Sequence, residues 1–304
     1  ETKTMINSGN VPGHLIASAR TGFLRSSKAI TPLWSRIAQQ VNLAGASEDL
    51  VDLGAPPMPK NSKNGLTVQG MSERLLRVAP VDWDITVGIS HNAIQDDRTG
   101  TLESKARMAR ENFDKHVNKL VFEAINEGAS VDRFGACYDG LSLFNANHVD
   151  KGAAYQTVQS NVNTSTLSLT NFKSVYASSS LYLDDQGEQT GYVPNLLVVS
   201  PALEYDASQI TVNNQAAGTS NRDINPYNGK VEHIVVPWID STAWFLVAGS
   251  ESVKPLMVVM REEPNLQSTW FDPEKADGGM YYFKFYARYN VQYGDWRAIT
   301  QGNT

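Results

Sequence analysis

The sequence predicts an α+β protein built as two units, and three segments carry that reading. Tyr281, Phe283, Phe285 and Ala287 fall on one face of a strand, while Tyr282, Lys284, Tyr286 and Arg288 fall on the other. This strict alternation, continued by Tyr289, Val291 and Tyr293 until Gly294-Asp295, is the period of a long strand with one buried face. From Thr101 to Glu127, apolar side chains recur by threes and fours at Leu102, Ala106, Ala109, Phe113, Val117, Leu120, Val121 and Ala124, with Gly128 as the stop. That spacing predicts an amphipathic helix of roughly 40 Å lying along a sheet. Leu196–Ser200 reads as a buried strand that runs into a helix beginning at Pro201, with Ser200 as its cap.

The 304 residues fit two domains, or one domain with large insertions. Residues 1–32 show no sustained periodicity and carry Gly9, Pro12, Gly13, Gly22 and Pro32, which predicts an extended arm with one short helix near Ile16–Leu24. Leu33, Ile37 and Val41 are spaced for a helical turn or two after Pro32. Within residues 1–40, Lys3, Arg20, Arg25, Lys28 and Arg36 stand against Glu1 alone, although the whole chain has a net charge of -6. A basic segment on an acidic body fits contact with nucleic acid or with an acidic neighbouring subunit, and equally a solvated terminus.

Residues 48–95 read as a projecting β-hairpin. Leu50–Gly54 rises, residues 55–65 are too rich in proline for a central strand, and Leu66–Met71, Arg74–Val78 and Trp83–Ile89 alternate as strands do. Little here could form a core of its own, so the hairpin is expected to lean on something else. His91 to Gly100 turns into the long helix. Cys137–Val149 is a turn, a short apolar stretch and a loop, and a polar run leads to Thr166. A helix over Leu169–Leu183 precedes the strand–helix unit, and Val231–Val236, Trp244–Ala248 and Pro255–Met260 add strands after it. Between them, residues 211–230 hold five asparagines and almost no large apolar group, the composition of an exposed loop.

Several function classes find no support. No apolar run reaches 18 residues, so no transmembrane helix is expected, and the N-terminus lacks an export pattern. The single cysteine, Cys137, allows no intrachain disulfide and suits a reducing or an indifferent compartment. The five histidines, His14, His91, His116, His148 and His233, have no metal-ligand spacing, and no nucleophile elbow, P-loop or dinucleotide fingerprint occurs. Asp96-Asp97 could pair as acid and base, but beside Arg98-Thr-Gly it reads better as a solvated turn or helix cap. Cys137 with His148 as base is a candidate nucleophile, weighed against a half-buried structural thiol.

Three segments together resemble the Mu-type phage major head subunit family. They are Tyr138-Asp-Gly-Leu-Ser-Leu-Phe-Asn-Ala-Asn-His148, Leu197-Val-Val-Ser-Pro-Ala-Leu-Glu204 and Tyr293-Gly-Asp-Trp-Arg-Ala298, and the helix after Ile94-Gln-Asp-Asp97 sits where that family has its spine helix. The resemblance runs from about residue 75 onward. It implies the Hong Kong 97-type capsid fold, with an N-terminal arm (1–47), an extended loop (48–92), a peripheral domain (93–165 and 255–304) and an axial domain (166–254).

The implied function is that of a non-enzymatic major capsid protein of a tailed double-stranded DNA phage. It would assemble as hexamers and pentamers in the host bacterial cytoplasm and reside in the virion. The implied partners are other copies, packaged DNA bound without sequence preference, and scaffold, protease, portal and decoration proteins, with no membrane and no cofactor. Arg20, Arg25, Lys28 and Arg36 would then face DNA or a neighbour. Asn213, Asn214, Asn221, Arg222 and Asn225 would sit at the capsomer centre, where the axial tips of this fold meet. A start without methionine fits removal of a scaffolding segment during head maturation, or a sequence trimmed at its start. Two alternatives stay open: an encapsulin-like nanocompartment shell, and a hydrolase using Cys137 and His148.

Overall fold

The computed structural model describes residues 11–26, 32–52, 74–96, 100–149, 156–214, 224–249, 253–275 and 278–302. Two sheets organise them. The first has the order β1-β9-β10-β4, with β1 at Ala38–Asn42, β4 at Val81–Ser90, β9 at Leu256–Asp272 and β10 at Met280–Tyr293. β10 is the aromatic strand, antiparallel to β9 on one side and to β4 on the other. Its predicted inward set, Tyr281 through Tyr293, is buried, and its outward set is half-buried.

Helix α3 (Thr101–Asn126) lies along the inward face, and every apolar position of the predicted stripe is buried. The stripe broadens toward the C-terminal end, where Asn118, Phe122 and Ile125 are buried as well. Helix α1 (Gly13–Ser26) packs beside it; it contains the short helix expected near Ile16–Leu24, runs a few residues further at each end, and is packed into the core. Leu15, Ala19 and Phe23, at i, i+4 and i+8, enter the main core. Phe23 stacks on Phe285 at 4.5 Å and meets Phe113 edge-on at 6.4 Å. Gly22 permits the close approach, because a Cβ there would lie 2.4 Å from the Glu103 carbonyl oxygen.

Other expectations were altered by pairing partners distant in sequence. Leu33–Arg36 is a single 3-10 turn, and Ala38–Asn42 then becomes β1, parallel to Leu256–Met260, so backbone pairing overrides the local helical spacing. The strand expected at 83–89 belongs to β4 in the main sheet and not to the hairpin. The hairpin itself is β2 (Glu48–Asp52) with β3 (Arg74–Val78), and it leans on the main sheet through Leu76 and Val78 against Leu43, Met257 and Val259. The strand expected at Leu66–Met71 and the proline-rich 55–65 lie outside the described residues.

The second sheet has the order β5-β11-β8-β6-β7, from Val162–Asn163, Ile299–Gly302, Trp244–Val247, Leu196–Val199 and Glu232–Val235. Helices α4 (Leu169–Ser179) and α5 (Glu204–Thr211) pack on it through Phe172, Val175, Ala207 and Ile210. The short helix α2 is His91–Gln95. Two details differ from expectation. Pro201–Leu203 forms a 3-10 turn before α5, and the Ser200 hydroxyl donates to the Ser241 carbonyl at 2.8 Å in place of capping. The C-terminal residues expected with the first unit cross into the second sheet as β11, where Gln301 and Gly302 pair with Phe245 and Trp244.

Candidate functional site

Two of the three signature segments converge at the joint between the sheets. The loop after α3 brings Asp139 and His148, and the turn after β10 brings Asp295, Trp296 and Arg297. The His148 ring lies flat on the Trp296 ring at 4.1 Å and 2°. Its Nδ1 donates to Asp139 Oδ2 at 2.5 Å with both side chains fully buried, and Nε2 faces the Leu143 carbonyl at 3.3 Å. The Arg297 guanidinium carbon sits 4.6 Å from the Trp296 ring centre, and its Nε donates to the Leu183 carbonyl at 2.9 Å. Tyr182 packs edge-on to Trp296 at 5.5 Å and bonds the Thr300 hydroxyl at 3.0 Å, and burial pushes its phenol up to about 12.

The backbone route explains the glycine of the closing motif. A Cβ on Gly294 would lie 2.9 Å from the Lys254 carbonyl oxygen, so only glycine lets the exit of β10 pass the entrance of β9. Across the joint, Arg74, at the end of the hairpin where it pairs with Asp52, meets buried Asp185 at 3.4 Å. Hairpin, first sheet and second sheet are thus tied at one place.

Sequence reading missed the residue that holds this joint from beneath, Asn161, which is fully buried. Its Nδ2 donates to the Leu143 carbonyl at 2.7 Å and lies 3.3 Å from the carbonyls of both Trp296 and Ile299, while Oδ1 accepts from Asn145 N at 3.0 Å. An asparagine in a polar run carries no signal for this role, because its partners are backbone groups of segments distant in sequence.

The geometry gives Cys137 no activating base. Both ring nitrogens of His148 are taken up by oxygen acceptors, and the buried thiol is pushed well above its ordinary pKa by burial, then by the Asp139 and Asp295 carboxylates. Among the described residues no cluster of metal-ligating side chains occurs, and no helix is long and apolar enough to cross a membrane.

The basic residues of the N-terminal segment are dispersed. Arg20 is exposed on α1. Arg25 lies in the last turn of α1, its side chain outside the description, and Lys28 lies outside the described residues. Arg36 is engaged within the chain: its guanidinium forks onto the Glu232 carboxylate, 2.9 Å at one arm, and holds that carboxyl below its usual range.

The asparagine group is partly brought together. Asn225 is buried, not displayed, and its side chain donates to the carbonyls of Ile210 at 2.6 Å and Asn213 at 3.0 Å. Its backbone N–H donates to the Asn214 carbonyl at 2.9 Å, and Asn213 bonds Gln209 at 2.6 Å. Asn221 and Arg222 lie outside the described residues. Around this clamp Tyr205, Val212 and Ile224 are 72%, 58% and 84% exposed, apolar flanks the composition of the loop had concealed.

A family model described as phage capsid protein matches residues 76–301. No curated protein sequence matches the chain. Among solved structures, the fold is similar to the capsid of bacteriophage JBD30, with a TM-score of 0.56 and 20% identity over 76% of this chain and 100% of that one. It is similar to Mycobacterium phage Patience, at 0.55 and 12% identity over 98% and 90%. It is also similar to a virus-like particle from Pyrococcus furiosus, at 0.50 and 15% identity over 94% and 98%.

Proposed function

From the premise that this chain belongs to the phage capsid protein family, as a major capsid protein whose copies form an icosahedral shell, we propose the particular shell it builds. It is the head of a tailed phage of the Mu type, assembled from hexamers and pentamers in the bacterial cytoplasm around double-stranded DNA. The subunit performs no chemistry. The observation that carries this reading is the joint. The Asp139–His148 and Trp296–Arg297 segments, far apart in sequence, are buried against each other at the joint between the sheets and offer no open catalytic group. The tip around Tyr205, Val212 and Ile224 supports a contact among copies at the capsomer centre, since exposed apolar groups clustered on a surface mark association. Scaffold, protease, portal and decoration proteins are its expected partners.

Electron microscopy of the purified full chain tests the assembly: closed particles built of hexamers and pentamers are expected, and persistent monomers would overturn it. A second reading is an encapsulin-like shell around protein cargo, since the fold is also similar to a virus-like particle from Pyrococcus furiosus whose name does not specify a phage head. Nuclease treatment of purified particles separates the two, because protected double-stranded DNA supports the phage head and protected protein alone supports the cargo shell.

A further inference from the structure

Among the described residues, a line of exposed lysines runs along α3. Lys105, Met108, Asn112, Lys115 and Lys119 are exposed at i, i+3, i+7, i+10 and i+14, across the helix from the buried stripe, with exposed Arg107 to one side and 3.9 Å from Glu111. Arg20 is exposed on α1 alongside. Lys119 shares Glu123 at 3.4 Å, whereas Arg20, Lys105 and Lys115 make no ion pair among the described residues. The carboxylates of α3 (Glu103, Glu111, Asp114 and Glu123) are half-buried at its flanks. The opposite face of the main sheet differs: there Asp82 and Asp84 are exposed, and Arg288 is paired with Asp82 at 2.7 Å. Among the described residues, that sheet face carries one cation without an ion pair, Lys284 over the Tyr286 ring at 5.8 Å, whereas the helical face carries Lys105, Lys115 and Arg20.

We propose that the α1–α3 face lines the inside of the shell and contacts the phosphate backbone of the packaged double-stranded DNA, with Lys105, Lys115 and Lys119 as the contacts and Arg20 beside them. This rests on the reading of the particle as a DNA-filled head. The chemistry selects a polyanion over a neighbouring subunit. Met108 is the one apolar side chain on the line, whereas protein interfaces gather aromatic and apolar groups at their centres and are depleted in lysine. Interfaces with DNA are polar and positive. The straight line also fits a rod: Lys105 to Lys119 spans about 21 Å, along which a duplex presents roughly twelve phosphate charges. Point contacts by lysine carry no base information, so the surface accepts any sequence.

Two measurements test the proposal independently of particle closure. Binding of a short random-sequence duplex to the unassembled full chain is followed as salt rises, for the parent and for K105Q/K115Q/K119Q. Loss of three phosphate contacts makes the slope of log affinity against log salt shallower by about 2.7. An unchanged slope, or a parent that binds no duplex, overturns the proposal. In parallel, particles are treated with a lysine-acylating reagent before and after the DNA is emptied. Protection of Lys105 and Lys115 in filled particles alone supports the assignment, and equal labelling in both overturns it. A triple variant that keeps its duplex affinity but no longer assembles would identify the line as a subunit contact and also overturns the proposal. A parent that forms no closed particles refutes the head reading, while the duplex titration still decides the phosphate contacts.

Discussion

Replacing Phe23 with alanine tests whether α1 is an integral layer of the subunit or a detachable arm. The ring is buried, stacked on Phe285 at 4.5 Å, edge-on to Phe113 at 6.4 Å, and lies under the Arg110 guanidinium at 5.6 Å. Truncating a buried phenylalanine costs about 3–5 kcal/mol, from lost transfer energy and the cavity left behind. The aromatic contacts account for about 0.5–1.5 kcal/mol of the larger values. A loss of about 4 kcal/mol is a large part of the 5–15 kcal/mol that stabilises an ordinary domain. The assay is urea unfolding of the unassembled chain, with Leu24→Ala as the control, because Leu24 is on the same helix and 57% exposed. Phe23→Ala is expected to lower the midpoint strongly and Leu24→Ala by less than about 0.5 kcal/mol. Equal, small effects would mean that α1 leaves the core in the free subunit, and the integral-layer argument would fail.

Asp139→Asn replaces the carboxylate that accepts from buried His148 Nδ1, and losing a hydrogen bond to a charged group costs about 1.5–3 kcal/mol; a loss below about 0.5 kcal/mol in urea unfolding would show the joint is held by Trp296 stacking alone. His116 hydrogen-bonds the Tyr289 hydroxyl at 2.8 Å and lies tilted against Trp83 at 4.4 Å, and burial holds its pKa below 6.5. The unfolded chain therefore binds the proton more readily, so this contribution is intact above 6.5 and is lost as pH falls below it. His116→Gln should flatten the fall in urea midpoint on the acid side, and an unaltered profile would exclude His116 as its source. The Arg36–Glu232 pair is exposed, so Arg36→Ala is expected to cost no more than about 1 kcal/mol, fading with added salt; a larger, salt-independent loss would contradict that.

Legibility in the sequence followed how local the determinant was. β10 and α3 announce themselves because each repeats its period over many residues, Tyr281 to Tyr293 by twos and Leu102 to Ala124 by threes and fours. α1 shows only Leu15, Ala19 and Phe23, interrupted by Gly22, and what makes it a buried helix is the surface offered by Glu103, Phe113 and Phe285. β1 and β11 are shorter still, five and four residues, and exist because β9 and β8 present free edges to them. The site behaves the same way. Its parts, Asp139, His148, Trp296 and Arg297, stood out as separate motifs, but no spacing announces that an imidazole will lie on an indole from the other end of the chain. Asn161, which holds both loops by their carbonyls, has no pattern at all. The lysine line is the converse case: Lys105, Lys115 and Lys119 were always on the outer side of a readable helix, yet their charge gained meaning only when ion pairing took up Arg36, Arg133 and Arg288 and left Lys105 and Lys115 unpaired. Net charge of -6 describes the chain's solubility, whereas the unpaired cations on one face describe what that face can meet.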